Sequence, residues 1–373
     1  MPDRPLKVLS VFGTRPEAVK MAPVVERLQW TPGVTSRVCV TAQHREMLDQ
    51  VLSLFGISPD IDLDLMQSDQ SLGDLTASLF RALDGVLRDE RPDWVLVQGD
   101  TTTVMAASLS AYYHRCKVAH VEAGLRTGDK WQPFPEEINR RIAGVVADLH
   151  FAPTNWARDN LLREGTPPDR VVVTGNPVID ALQGIARRPY DWSSGPLADV
   201  PRDRRLILVT AHRRENFGKP LEDIFAALGE LASIYAGDVH LVYPVHLNPN
   251  VREPARARLG RTSNISLTAP LDYLPMVHLL QASTLVLTDS GGLQEEAPAL
   301  GKPVLVMRRV TERPEAVEAG TAKLVGTDPE AIVRETRRLL DDSEAYAAMA
   351  RAVNPFGDGH AAERIIEALL AAA

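Results

Sequence analysis

Thr288-Asp289-Ser290-Gly291-Gly292-Leu293-Gln294-Glu295-Glu296-Ala297-Pro298 is the stretch whose reading decides the fold. It continues Leu285–Thr288, a run of apolar and β-branched residues without alternation, which reads as a strand buried on both faces of a parallel sheet. Asp289 and Ser290 are expected to supply N-cap oxygens to the helix that follows, and Gly291 and Gly292 to let the backbone approach what lies at its start. Glu295 and Glu296 fall in its first turns. A strand that turns directly into a helix offers N–H groups and a positive dipole end to an anion. Neither Gly-x-Gly-x-x-Gly nor Gly-Lys-Ser/Thr is present, so the segment is neither a dinucleotide turn nor a P-loop. An ordinary capped turn explains it as well. The paired glutamates favour a ligand, since one of them can accept from ligand hydroxyls.

Outward from this stretch, short apolar runs alternate with longer amphipathic ones. Strands are expected at Val8–Phe12, Arg37–Thr41, Trp94–Gln98, Val118–Val121, Leu149–Ala152 and Val171–Thr174, with helices at Pro16–Leu28, Glu46–Phe55, Leu72–Arg88, Thr103–Tyr113 and Glu136–Val146. The cycle begins again with strands at Leu206–Thr210, His240–Pro244, Ile265–Leu267, Leu285–Thr288, Pro303–Val306 and Lys323–Val325. That alternation predicts α/β architecture with parallel sheets. The pattern breaks over 187–204, and the boundaries are expected at 1–176 for the first domain and 177–355 for the second. A final helix in 356–373 is expected to pack back on the first. Two such domains imply a cleft for a ligand, closing about joints near Asn176-Pro177 and Asn354-Pro355.

At 373 residues the chain fits two domains, and its net charge of -8 without a basic stripe argues against nucleic acid. Cys39 and Cys116, the only cysteines, have no C-x-x-C spacing and read as reduced thiols. No apolar run approaches a membrane span, so a cytoplasmic protein is expected.

Polar residues cluster where strands end. Gly13-Thr14-Arg15-Pro16-Glu17 follows the first strand, with Pro16 expected at the first helical position and Arg15 at a strand tip, where a guanidinium suits a phosphate. Lys20 lies one turn on. Asp100 ends the next tip, either as an N-cap to the helix near Thr103 or as a site carboxylate. Glu122 precedes Ala-Gly, where no helix starts, so capping does not explain it. In Phe134-Pro135-Glu136-Glu137-Ile138-Asn139-Arg140-Arg141, Pro135 is expected at the first helical position and Arg140 and Arg141 to pair with Glu136 and Glu137 at i, i+4 on a solvated face. The alternative is an acid/base site assembled from Asp100, Glu122 and Glu136 opposite a basic group. His212 and His246 stand at tips of the second half, His212 as a phosphate donor or general acid. No Cys/His cluster has metal-ligand spacing, and neither a metal nor a cofactor is expected.

Together, Gly13-Thr14-Arg15-Pro16-Glu17, Thr41-Ala42-Gln43-His44-Arg45, Gly99-Asp100-Thr101-Thr102, His120 through Gly128, Pro135-Glu136-Glu137-x-Asn139-Arg140, His212-Arg213-Arg214-Glu215-Asn216, Asp289-Ser290-Gly291-Gly292-x-Gln294-Glu295-Glu296 and Arg313-Pro314-Glu315-Ala316 resemble the non-hydrolysing UDP-N-acetylglucosamine 2-epimerases along the whole chain. The resemblance implies two facing Rossmann-like domains (glycosyltransferase-B-like), a homodimer, and reversible conversion of UDP-N-acetylglucosamine to UDP-N-acetylmannosamine for surface or cell-wall polysaccharide. Carried over by residue, it implies Asp100, Glu122 and Glu136 as acid/base groups. His212 and Arg15 would steady the departing diphosphate, supported by Lys20 and Arg140. Ser290, Gly291 and Gly292 would hold phosphates, Glu296 the ribose, and Arg313 would help close the site. Gln43, Glu136, Arg213 and His246 match a second pocket in which substrate activates bacterial relatives, whereas Glu46 and Asp69 stand where some relatives have an amide and an arginine.

The C2 proton of the sugar is not beside a carbonyl, so direct removal and return is very unfavourable, and without a dinucleotide motif elimination of UDP is the expected route. Rival readings are a glycosyltransferase using the same donor, a hydrolysing epimerase and a nucleotide-sugar sensor.

Overall fold

The computed structural model describes residues 4–41, 45–65 and 70–373, together with the backbone but not the side chains of Arg45 and Glu46. Gln43 and Asp69 lie outside these residues, as does the side chain of Glu46. By internal contacts the chain forms two compact units, 1–181 with 356–373, and 182–355.

The first unit holds strands β1 Leu6–Phe12, β2 Val34–Val40, β3 Ile61–Asp62, β4 Trp94–Gln98, β5 Lys117–Val121, β6 Leu149–Ala152 and β7 Val171–Val173. They form one parallel sheet in the order β3-β2-β1-β4-β5-β6-β7. The central strand β4 is buried throughout, which is why it reads as an almost unbroken apolar run. Helices cover the sheet: Leu79, Leu83 and Val104 pack on Leu9, Val95, Val97 and Val118. The two-residue strand β3 escapes sequence reading because it is too short to show a pattern. Cys39 is buried, which pushes its thiol up to about 12, and it is free, as is Cys116.

In the second unit β8 Arg205–Thr210, β9 Val239–Pro244, β10 Ile265–Thr268, β11 Ser283–Thr288, β12 Val304–Val306 and β13 Ala322–Leu324 form a parallel sheet ordered β10-β9-β8-β11-β12-β13. Its core joins Ile207, Val209, Leu241, Leu285 and Leu287 to Phe225, Leu228 and Ile332 from the covering helices. Each sheet reverses its strand order once, between β1 and β4 and between β8 and β11. At such a point neighbouring connections leave in opposite directions and open a crevice at the carboxyl ends of the strands. Among the described residues no helix is long and apolar enough to cross a membrane.

The helix Ala361–Ala371 returns to the first unit. Arg27 meets Glu363 at 2.6 Å and Lys117 Nζ donates to the carbonyl of Ala372 at 2.9 Å. Its N-cap, His360, makes no side-chain cap bond. Asp180 instead accepts from the N–H groups of Ala361 (3.2 Å) and Ala362 (2.9 Å), so the cap is supplied from 181 residues away.

His120 and His150 sit side by side in register across β5 and β6, both buried. Burial drives each imidazole down to about 4. His120 Nε2 lies 2.7 Å from the Gly99 carbonyl, which can only accept, so the neutral ring carries its proton there.

Asp180→Ala is expected to cost about 1–2 kcal/mol in urea unfolding, the usual worth of a lost cap. The histidines add a pH dependence: a folded pKa below the unfolded 6.5 means that their contribution is complete above pH 6.5 and is lost as pH falls towards 4. Stability is expected to drop by about 2 kcal/mol per imidazole between pH 6.5 and 5, and His150→Gln to remove roughly half of that slope.

Candidate active site

At the first crevice, Gly13 and Thr14 link the end of β1 to the helix Arg15–Gln29. Thr14 is its N-cap and Glu17 completes a capping box, so Arg15, not Pro16, is the first helical residue. Glu17 is buried and accepts from the N–H groups of Gly13 (3.0 Å) and Thr14 (2.7 Å) and from the Thr101 hydroxyl (2.7 Å). Burial raises its carboxyl even so. Gly13 is required sterically: a Cβ there would lie 2.0 Å from Thr41 Oγ1.

Two of the sequence-predicted residues gather beside it. Lys20 is ion-paired with Glu122, and Gln98 Nε2 donates to the same carboxylate oxygen. Glu122 is 6% exposed and adopts φ +63, a left-handed conformation costing about 1–2 kcal/mol for a residue with a Cβ. That kink ends β5 and turns the carboxylate towards Lys20 and Gln98. Gln98 was overlooked in the sequence. The available signal was one amide ending the otherwise apolar strand Trp94–Gln98.

Asp100 is ion-paired with Arg140, and Asn139 Nδ2 donates to the Asp100 carbonyl at 3.0 Å. It does not cap the following helix: Thr101 does, accepting from Val104 N. The expected helix face at 136–141 also differs. Pro135 is the N-cap residue rather than the first helical one. Both arginines bond Glu137, Arg140 at 3.4 Å and Arg141 at 3.1 Å, and Arg140 reaches on to Asp100. Glu137 and Arg140 are buried, so this is no solvated face. Glu136 Oε2 is buried without a hydrogen-bond partner among the described residues.

At the second crevice the expectation for Asp289 fails. The helix Leu293–Ala299 has Gly292 as its N-cap and no side-chain cap. Asp289 is fully buried and accepts instead from His212 N (2.8 Å), Arg213 N (2.8 Å) and Asn216 Nδ2 (3.1 Å). It therefore holds the loop after β8, and short-range capping logic loses to partners more than 70 residues away. Ser290 likewise caps nothing; its N–H bonds Thr288 Oγ1 at 2.9 Å and its carbonyl accepts from Gln294 Nε2 at 3.0 Å.

His212 stacks on His246, ring centroids 5.5 Å apart, with Nδ1 3.5 Å from Asp289 Oδ1. Burial, then His246 and Arg213, lower its pKa against the opposing pull of Asp289, so the ring is neutral at neutral pH. Arg213, His212 and His246 thus come together, and a Cβ at Gly291 would lie 3.6 Å from Arg213. Glu296 Oε1 accepts from the Tyr273 hydroxyl at 2.9 Å, and Arg313 is ion-paired with Glu295. A chain of charges also missed in the sequence runs Glu215–Arg308–Glu312–Arg213, at 2.6, 3.3 and 3.6 Å. Among the described residues no group of three His, Cys, Asp or Glu could hold a metal ion.

Parallel α/β units with polar side chains gathered at the strand-order reversal form a class that binds nucleotides and related ligands. The family model for UDP-N-acetylglucosamine 2-epimerase matches residues 26–370. The chain is 55% identical over 372 residues to the UDP-N-acetylglucosamine 2-epimerase of Escherichia coli (strain K12), covering 98% of each chain. It is 53% identical over 365 residues to that of Bacillus subtilis (strain 168), covering 98% of this chain and 95% of the relative. The crystal structure of UDP-GlcNAc 2-epimerase from Neisseria meningitidis bound to UDP-GlcNAc superposes with a TM-score of 0.88 at 49% identity, covering 98% of this chain and 100% of that one. The chain belongs to the UDP-N-acetylglucosamine 2-epimerase family, a family of isomerases.

Asp289→Ala leaves one buried and two part-buried donors without their acceptor and is expected to cost about 3 kcal/mol in unfolding free energy. Nuclear magnetic resonance should show the His212 and Asn216 signals displaced while those of the first unit stay in place.

Proposed function

We propose that this protein interconverts UDP-N-acetylglucosamine and UDP-N-acetylmannosamine by eliminating UDP and adding it back. The observation that carries the reading is the pair of carboxylates at one crevice, Glu122 held by Lys20 and Gln98, and Asp100 held by Arg140. Acids of this kind can serve both faces of one carbon.

In the forward half-reaction a carboxylate takes the proton from C2. The C–H electron pair becomes the C1=C2 bond, and the C1–O pair departs with UDP, leaving 2-acetamidoglucal. In the return half-reaction a second acid protonates C2 from the opposite face and the UDP oxygen attacks C1. Asp100, Glu122 and Glu136 are the acid/base groups. No order is assigned among them. The departing diphosphate needs donors aimed at the developing charge, and Arg15, His212, Ser290, Gly291 and Gly292 supply them, with Lys20 and Arg140 supporting. The neutral His212 ring can donate to phosphate without adding a charge. Glu296 accepts from the ribose and Arg313 helps close the site. Glu136, Arg213 and His246 are the described residues of the second, activating pocket. The working form is proposed to be a homodimer in the cytoplasm whose product feeds surface or cell-wall polysaccharide.

Incubation with UDP-N-acetylglucosamine in heavy water tests the reaction. Deuterium at C2 of both UDP-sugars, with no free sugar accumulating, is the expected result. Free N-acetylmannosamine would indicate a hydrolysing enzyme, and no exchange a transferase or sensor. Asp100→Asn, Glu122→Gln and Glu136→Gln are each expected to lower turnover roughly 10²- to 10⁴-fold while the fold survives, and a variant of normal rate removes that residue from the chemistry.

A further inference from the structure

Glu137 takes no part in the chemistry above, yet it ties several parts of that site together. It is fully buried in the first turn of the helix Glu136–Val146. One carboxylate oxygen accepts from Thr127 N at 3.1 Å and lies 3.4 Å from Arg140 NH1, while the other accepts from Arg141 Nε at 3.1 Å. The two guanidinium partners are unequal. The Arg141 side chain is 44% exposed, so water screens its pairing, whereas that of Arg140 is 10% exposed and its charge is felt in full.

We propose that Glu137 is the positioning residue for all three reacting acids. This inference rests on the assignment of Asp100, Glu122 and Glu136 given above. Arg140, gripped by Glu137 on one side, holds the Asp100 carboxylate on the other. Thr127 ends the short loop that leaves Glu122, and its N–H is fixed to Glu137. Within that loop, Gly124 at φ +91 packs so tightly on the Ala157 carbonyl that a Cβ would come within 2.2 Å, and Asn160 Nδ2 holds the Gly124 carbonyl at 2.9 Å. The loop is thus clamped at its middle by Asn160 and at its far end by Glu137, with the strained Glu122 at its start. Glu136 is the neighbouring residue on the same helical turn, so whatever anchors that turn anchors Glu136 too. Without the Glu137 charge, Arg140 keeps, among the described residues, its ion pair to Asp100, and the pair loses its second anchor. Misplacement of a reacting group by about 1 Å is enough to cost about 10²-fold in rate.

Glu137→Gln keeps an acceptor for Thr127 and removes the charge; Glu137→Asp keeps the charge and shortens the reach. With the wild type, both variants and Arg141→Gln assayed together for epimerisation, Glu137→Gln is expected to lose roughly 10- to 100-fold in kcat, with KM and the Kd for UDP within about threefold of wild type. Glu137→Asp is expected to recover part of the lost kcat, and Arg141→Gln to stay within about twofold of wild type. A Glu137→Gln enzyme with wild-type kcat overturns the positioning role, as does a loss that appears wholly in KM. Should Glu137→Gln fail to fold, Glu137→Asp decides: lowered kcat at unchanged KM supports the role, and wild-type kcat overturns it. A wild-type protein without C2 exchange overturns the assignment of function itself, an outcome distinct from either of these.

Discussion

Each sheet of this protein leaves a gap where its strand order reverses, and in each a buried carboxylate closes that gap by accepting loop N–H groups. Glu17 does so at the end of β1 and Asp289 at the end of β11. The parallel extends to paired threonine hydroxyls across adjoining segments, Thr41 with Thr103 at 2.9 Å and Thr210 with Thr288 at 2.6 Å. A carboxylate meeting several backbone donors is held firmly, and it fixes the strand tips from which the polar side chains project. The constraint is costly, since burial raises the Glu17 carboxyl despite its donors. It leaves Arg15 and Asp100 at one crevice, and His212 and Ser290 at the other, on backbone that cannot drift.

The remaining charges follow the same economy. Glu122 and Asp100 are each shielded by one cation, and Glu137 by two. Taking a carboxylate out of water is costly unless a cation and hydrogen bonds compensate it. Glu136 departs from this rule, with one oxygen buried and unmatched. The strain at Glu122 belongs to the same picture: a side chain turned out of its strand by an unfavourable backbone is held in place by its partners, not by its own preference.

Much of the architecture was legible because parallel strands buried on both faces are written as continuous apolar runs. Trp94–Gln98 and Leu149–Ala152 were bounded correctly from that signal alone, and Glu136–Val146 from its amphipathic period. What the sequence hid were partnerships between distant residues. Asp289 looked like a local cap because capping needs only neighbours, whereas its acceptors' partners come from the loop after β8. Glu137, Arg140 and Arg141 looked like a surface ladder because i, i+4 spacing is blind to Thr127 and Asp100 arriving from elsewhere. Glu122 was marked out by the absence of a helix after it, but nothing in its neighbours announced φ +63. Gln98 shows the opposite failing, a plain clue passed over because an amide at the end of a strand is common.

The return of the helix Ala361–Ala371 to the first unit sets the order in which the chain can fold during synthesis. The second unit is one uninterrupted segment and can close as soon as residue 355 clears the ribosome. The first unit, although begun earlier, lacks the last helix against Arg15–Gln29 and the partners of Asp180 until the segment beyond 356 emerges. A shortened message that stops inside that helix would therefore damage the unit made first and spare the one made last.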